Sequence, residues 1–537
     1  MAWRLKAILV FTLLAVTTGD AASRELVLLA EPGPWPHVSS LVGYGGRLWF
    51  VNSRKFVNHN SADIYSYNPL SGRTRYERHL FSQDAGDPVV FGGLLYWPYE
   101  DPRFSMNRGE FSLTDGMHWQ WRSMAVGEAF HVHAMAARDG ELWAAFSAWR
   151  AGLLRSDDRG VTWRVAYEHP TPDGEVTRIT ALASLDGALY AGLTTTVGDD
   201  EATLLRVAGG RVDAVESWPR GQATTGLTAW RGHVYGLHDA RGQRAVWRSD
   251  GDVSVRIAAF DGAPVRALAA SDDALWALSA GRSGGALWRS GDGLDWSIVQ
   301  RFADATPVAI ASYGGAIYVG VEGPNGRGGL WGPPPPAGRG SALTGDLPDW
   351  PPAPPGPALE PALAALDRTL ADSDALAATS GRLTQFARFL AMTRTPELGT
   401  ALSERLLRAM PEATVDLFGG NREIPASRVA RWDLMWMIAR VGHGRIPPAL
   451  IEAPWAVRAN RSEKYFEPAP AAMWAAAELG QTDDATLAAL IARLDRPGDP
   501  DWLVGDVVGA LAALTGERFG YDIDKWRAWW RVRARKR

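Results

Sequence analysis

The chain has 537 residues, 46% of them hydrophobic and 22% charged, which suits two to four globular domains and excludes wholesale disorder or a fibrous repeat. Lys and Arg number 56 against 60 Asp and Glu, a net charge of -4, so no global basic field draws in nucleic acid. The absence of Cys (0) excludes disulfides, thiolate metal sites and a cysteine nucleophile, while the 25 Trp call for an explanation.

Arg4 and Lys6 precede an apolar run from Ala7 to Thr18, and Gly19-Asp20-Ala21 offers small residues for cleavage. This pattern predicts a signal peptide over residues 1–21 and a secreted or periplasmic mature protein. The apolar run is too short to cross a bilayer, and no later stretch approaches the roughly 20 residues required, so no transmembrane segment is expected.

One phrase then recurs seven times: a two-residue turn, an aliphatic residue and an aromatic, with Trp49, Tyr96, Trp143, Tyr190, Tyr235, Trp276 and Tyr318 as the aromatics. Their intervals of 47, 47, 47, 45, 41 and 42 residues match the period of a four-stranded propeller blade. Gly and Asp in the turns tolerate the positive φ that tight hairpins require. The expected fold is multidomain β + α, a seven-bladed β-propeller over 24–332 followed by an all-α helical domain. The segment Glu25-Leu26-Val27-Leu28-Leu29 is predicted to close the seventh blade as its outer strand, leaving no long exposed edge.

A second motif lies in the outer half of some blades. Ser156, Asp158, Gly160 and Trp163 fall in Ser-Asp-Asp-Arg-Gly-Val-Thr-Trp, with looser copies at Ser290, Asp292 and Trp296 and at Thr114 to Trp119. The segment resembles the Asp box of BNR, or sialidase-like, propellers, a resemblance that implies a structural clip: Ser and Asp bond the turn backbone and Trp packs between sheets. This reading accounts for many of the Trp residues.

Ten prolines between Pro333 and Pro357 predict a semi-rigid linker over 333–357. Beyond it leucines recur at helical spacing, as in Leu359, Leu363, Leu366 and Leu370 or Leu398, Leu402 and Leu406. The stretch from Met473 to Leu514 resembles a HEAT repeat, and Leu514 to Asp522 with Trp526, Trp529 and Trp530 looks like the end of bacterial HEAT-type arrays. A HEAT-like domain over 358–537 implies partner docking along its surface; a helical cap that packs only on itself is the other reading.

In a propeller, ligands meet the face formed by inner-strand starts and by the loops between second and third strands. The first two such loops are the longest and hold Arg54, Lys55, His59, Glu100, Asp101, Arg103 and Arg108, and the third holds Arg150. Counting nine residues back from the second turn residue puts His37, His131 and Arg178 at one level, with His133 on the same side of its strand as His131. The expected ligand site is therefore His37, Arg54, His59, Glu100, Arg103, His131, His133, Arg150 and Arg178, on blades 1 to 4. His37, His131 and His133 together are the one set that could hold a metal; otherwise no cofactor is expected.

The chain lacks the Phe-Arg-Ile-Pro motif of sialidases, and its only Arg-Ile-Pro, Arg445-Ile446-Pro447, lies in the helical region. The expectation is an exported ligand-binding or protein-interaction module, with a glycan or protein ligand on the loop face. The alternative is a sialidase-like glycan-acting hydrolase or lyase, with Arg54, Arg103 and Arg178 available for a substrate carboxylate.

Overall fold

Strands that are buried on both faces read as unbroken apolar runs, and the chain has one such strand after almost every turn phrase: Leu94–Pro98, for example, is buried throughout. The computed structural model describes residues 25–335, 359–374, 395–416, 423–455 and 467–535, apart from 55–61, 81, 101–108, 125, 127–128, 148–149, 172–175, 196–201, 261–263, 282–283, 324–325 and 501. The predicted signal peptide, most of the proline-rich stretch and Lys55, His59, Asp101, Arg103 and Arg108 lie outside these residues.

Residues up to 332 form antiparallel sheets in chain order. Sheet 1 comprises His37–Tyr44, Arg47–Ser53, Ala62–Asn68 and Arg73–Leu80; sheet 2, Val89–Phe91, Leu94–Pro98, Glu110–Thr114 and Trp119–Ser123; sheet 3, His131–Arg138, Glu141–Ser147, Ala151–Ser156 and Arg164–Glu168. Sheet 4 comprises Thr177–Leu185, Ala188–Thr195, Leu204–Ala208 and Arg211–Ala214 and is joined through the single pair Thr194 and Ala223 to sheet 5, Ala223–Trp230, His233–Ala240, Gln243–Ser249 and Ser254–Ile257. Sheet 6 comprises Val265–Ala270, Leu275–Gly281, Gly284–Ser290 and Ser297–Phe302. In sheet 7, Thr306–Tyr313, Ala316–Glu322 and Gly328–Gly332 are completed by the N-terminal strand Val27–Ala30, which pairs Leu28 with Trp331. The region is arranged as a β-propeller.

Glycines on the second strands allow close approach between sheets. A Cβ at Gly320 of sheet 7 would stand 2.1 Å from the Val38 carbonyl of sheet 1, so only glycine admits this contact. Sheets 1 and 2 are tied by Ser40, whose hydroxyl donates to the Ala85 carbonyl at 3.1 Å. Most of the recurring turns place two residues at positive φ, as in Asp186 (47°) and Gly187 (72°). The sixth phrase departs: Asp272 and Asp273 are not among the positive-φ residues, and Ser271 organises the turn by accepting from the Ala274 N–H at 3.2 Å and donating to Asp273 at 2.8 Å.

In five sheets the hairpin between the third and fourth strands carries the clip. Asp158 Oδ1 accepts from Val161 N at 3.0 Å and Thr162 N at 2.9 Å, Ser156 Oγ accepts from Gly160 N at 2.8 Å, and Trp163 packs edge-on against Phe111 of sheet 2 at 5.8 Å. Ser290 and Asp292 repeat the pattern, with Trp296 against Phe260 at 4.7 Å. Asp115, Asp250 and, in sheet 1, Asn68 hold their turns in the same way. Burial opposes ionisation of Asp158, but the bonds from Thr162, Ser156 and Val161 hold its carboxyl below the usual range.

The helical region contains, among the described residues, α1 (Leu359–Ala371), α2 (Pro396–Leu406), α3 (Ala426–Val441), α4 (Pro448–Ile451), α5 (Pro468–Glu478), α6 (Asp484–Arg493), α7 (Leu503–Thr515) and α8 (Ile523–Arg535). Thr395 and Asp483 cap α2 and α6, and left-handed Gly442 and Gly516 end α3 and α7. None of these helices is long and apolar enough to cross a membrane.

The helices share one hydrophobic core with sheets 1 and 2. Trp121 of sheet 2 stands edge-on to Trp436 of α3 at 4.8 Å and to Trp474 of α5 at 5.5 Å. Polar groups cross the same boundary. Fully buried Asp63 accepts from Tyr521 Oη at 2.6 Å and Trp35 Nε1 at 3.2 Å, and His79 bridges Asp63 to Asp506 of α7. Arg78 pairs with Glu478 of α5, and Arg518 bonds the Tyr76 carbonyl and Glu77.

Candidate functional site

Antiparallel register places the predicted residues on one rim. His37 pairs with Ser53, His131 with Ser147 and Arg178 with Thr194, so each sits at the start of a first strand opposite the end of a second. A bulge between Val132 and Ala134 turns His133 inward, where its Nε2 meets the buried Ser147 hydroxyl at 2.8 Å.

Four of the predicted residues converge. The His131 and His133 rings stack at 5.5 Å, His131 Nδ1 bonds the Glu100 carbonyl oxygen, and the Glu100 carboxylate lies 3.8 Å from the same nitrogen. A carbonyl only accepts, so His131 carries its proton on Nδ1 and keeps a lone pair on Nε2. Burial and the neighbouring Arg178 charge lower the His131 pKa to about 4; burial, His131 and Arg178 hold His133 well below the usual imidazole range. Both rings are neutral at pH 7. Arg178 supplies the local positive charge, and its buried Nε has no hydrogen-bond partner among the described residues.

The other predictions distribute differently. His37 is buried on the seam with sheet 7, 3.8 Å from Glu322, and so stands with that carboxylate rather than with His131. Among the described residues no group of three or more His, Cys, Asp or Glu could hold a metal ion. Arg54 follows the second strand of sheet 1 half-buried, and Arg150 is exposed before the third strand of sheet 3.

Asp84 was missed by the sequence reading. It lies 12 residues before Tyr96, the same offset that gives His37 and His131, and it is buried with Ser39 Oγ 3.5 Å away. The offset rule applied to every turn would have found it. The same rule at second-strand ends adds Glu322 to Glu100.

No family model matches the chain, and no curated protein matches it. Among solved structures, its neighbours are β-propeller domains. It is similar to the β-propeller domain of the Trilobed protease from Pyrococcus furiosus, at 10% identity over 56% of this chain and 95% of that one, with a TM-score of 0.40. It is similar to a PL25 ulvan lyase bound to a GlcA-Rha3S saccharide, at 12% identity over 57% and 95%, with a TM-score of 0.40. The tricorn protease matches at 12% identity over 54% and 30%, with a TM-score of 0.34.

Proposed function

We propose that this is an exported binding protein: a closed seven-bladed propeller of the Asp-box type whose loop face, at sheets 2 to 4, takes an anionic ligand, an acidic glycan or a protein carboxylate. The observation that carries this reading is Arg178, a cation whose buried Nε lacks a partner among the described residues and which faces two neutral imidazoles. An arginine held in a partly buried site is suited to bidentate recognition of a carboxylate or sulfate. The neutral Nε2 of His131 then accepts from a ligand hydroxyl, and Glu100, Arg54, Arg150 and His37 frame the rim. The HEAT-like helices brace sheets 1 and 2, and their outward surface is left to dock a partner.

The second reading is a glycan-acting lyase or hydrolase. A neutral imidazole beside an arginine is what proton abstraction next to a carboxylate needs, which favours this alternative. Against it weighs the His131 pKa, lowered to about 4, far from the operating pH at which general-base catalysis works best. The test is a glycan array together with a sialoside and uronate cleavage assay, run on the wild type and on the His131→Ala/Arg178→Ala protein. Binding of acidic glycans without turnover, lost in the double variant, supports the binding reading. Turnover lost in the variant supports the enzyme, and binding unchanged in the variant overturns the site.

A further inference from the structure

A further cavity lies elsewhere on the same face. It has a volume of about 940 Å³ and opens over sheets 6 and 7, between the facing ends of Leu275–Gly281 and Gly284–Ser290 and the start of Thr306–Tyr313. Among the described residues its walls contain two arginines, Arg266 on the first strand of sheet 6 and Arg301 on the fourth, and no Asp or Glu. Neither arginine side chain makes a hydrogen bond or ion pair among the described residues. By contrast Arg289 of the same sheet is bound to Asp273 at 2.9 Å.

The remaining wall is aromatic and small. The half-buried Trp288 indole is fixed by donation from Nε1 to Ser279 Oγ at 2.9 Å and by the Phe260 ring at 5.5 Å. At the rim Gly284 packs directly on the fourth strand, where a Cβ would stand 2.3 Å from the Phe302 carbonyl. A volume of this size suits a ligand larger than a single ion.

We propose that this cavity is a second binding site, for a short acidic saccharide: Arg266 and Arg301 take two successive carboxylate or sulfate groups and Trp288 receives the face of an intervening sugar ring. Two unpaired guanidinium groups facing one cavity without a carboxylate attract anions, and each forms bidentate bonds to planar oxyanions. An indole with one edge anchored presents a rigid apolar surface to the C–H face of a pyranose. The site is independent of the one around Arg178.

The experiment is calorimetric titration of the full chain with oligogalacturonate, with a sulfated oligosaccharide of similar length, and with a neutral maltooligosaccharide. The expected result is binding of at least one acidic probe and none of the neutral one, weakened at least tenfold by Arg266→Ala/Arg301→Ala and again by Trp288→Ala. The two acidic probes separate carboxylate from sulfate recognition. Circular dichroism of each variant verifies the fold, and Arg266→Lys/Arg301→Lys, which keeps charge but loses the planar fork, should bind with intermediate affinity. In the His131→Ala/Arg178→Ala protein this binding should persist, so failure at one site is read separately from failure at the other. Absence of acidic-probe binding, equal binding of the neutral probe, or affinity unchanged in Arg266→Ala/Arg301→Ala overturns the proposal.

Discussion

His79 Nε2 lies 2.6 Å from Asp506 Oδ1 while its Nδ1 lies 2.8 Å from Asp63 Oδ1, so a single buried imidazole joins the outer strand of sheet 1 to α7. Two carboxylates are satisfied at once only when both ring nitrogens carry protons. Burial works against that charge, but the bonds to Asp506 and Asp63 and their negative charge outweigh it and raise the pKa to about 9.

The folded pKa is thus above the ordinary 6.5, and the stabilisation is complete below that ordinary value and lost as pH rises through about 9. The expected outcome is a melting temperature that falls between about pH 7 and about pH 10, by an amount on the order of 3 kcal/mol in stability. His79→Gln should be less stable at pH 7 and should lack this alkaline dependence. A wild-type profile that stays flat over the range refutes the clamp.

The tryptophan contact between sheet 2 and the helices makes a separate prediction. Trp436→Ala removes a large side chain that is only 2% exposed and should cost about 3 to 5 kcal/mol. Because the core is continuous from Trp97 to Trp474, calorimetry of the wild type should give one transition for sheets 1 and 2 together with the helices. Two well-separated transitions, with the variant shifting only the helical one, would contradict a shared core.

Asp158→Ala should lower stability by about 1 kcal/mol, the worth of a turn-capping hydrogen bond, and leave ligand affinity unchanged. The turn is held by backbone donors at the end of the sheet remote from His131. Chemical denaturation and a binding titration on the same sample check both halves. Lost affinity at unchanged stability would assign Asp158 to the site.

Affinity for an anionic ligand at Arg178 should be nearly constant from about pH 6 to about pH 8, because burial keeps both His131 and His133 depressed and neutral there. Stability carries the complementary signature. A histidine depressed to about 4 favours the folded state above the ordinary 6.5 and loses that contribution as pH falls toward 4. Imidazole NMR of the folded protein resolves this directly, and a His131 midpoint near 6.5 would remove the basis for it.

What the sequence revealed depended on how local the signal was. A fixed offset from each turn aromatic found His131 and Arg178, because strand register is rigid over a few residues. The clip residues Ser156 and Asp158 were equally legible, since their partners lie within four positions. The His79 bridge was not, because Asp63 and Asp506 are brought together by packing between regions that share no local pattern. Likewise α3 lies almost wholly inside the core and offers no single apolar stripe to mark it. The placement of His37 beside Glu322 required knowing that the last sheet abuts the first.

Leu28 waits for Trp331, which lies about 300 residues later in the chain. At ribosomal rates that gap amounts to roughly 15 to 60 s during which the N-terminal strand has no partner. Until the last sheet emerges, the first strand is a solvent-facing segment open to pairing with other nascent chains. Production at low temperature or with a holding chaperone should therefore raise the yield of native protein more than it does for a fold whose neighbouring strands are adjacent in sequence.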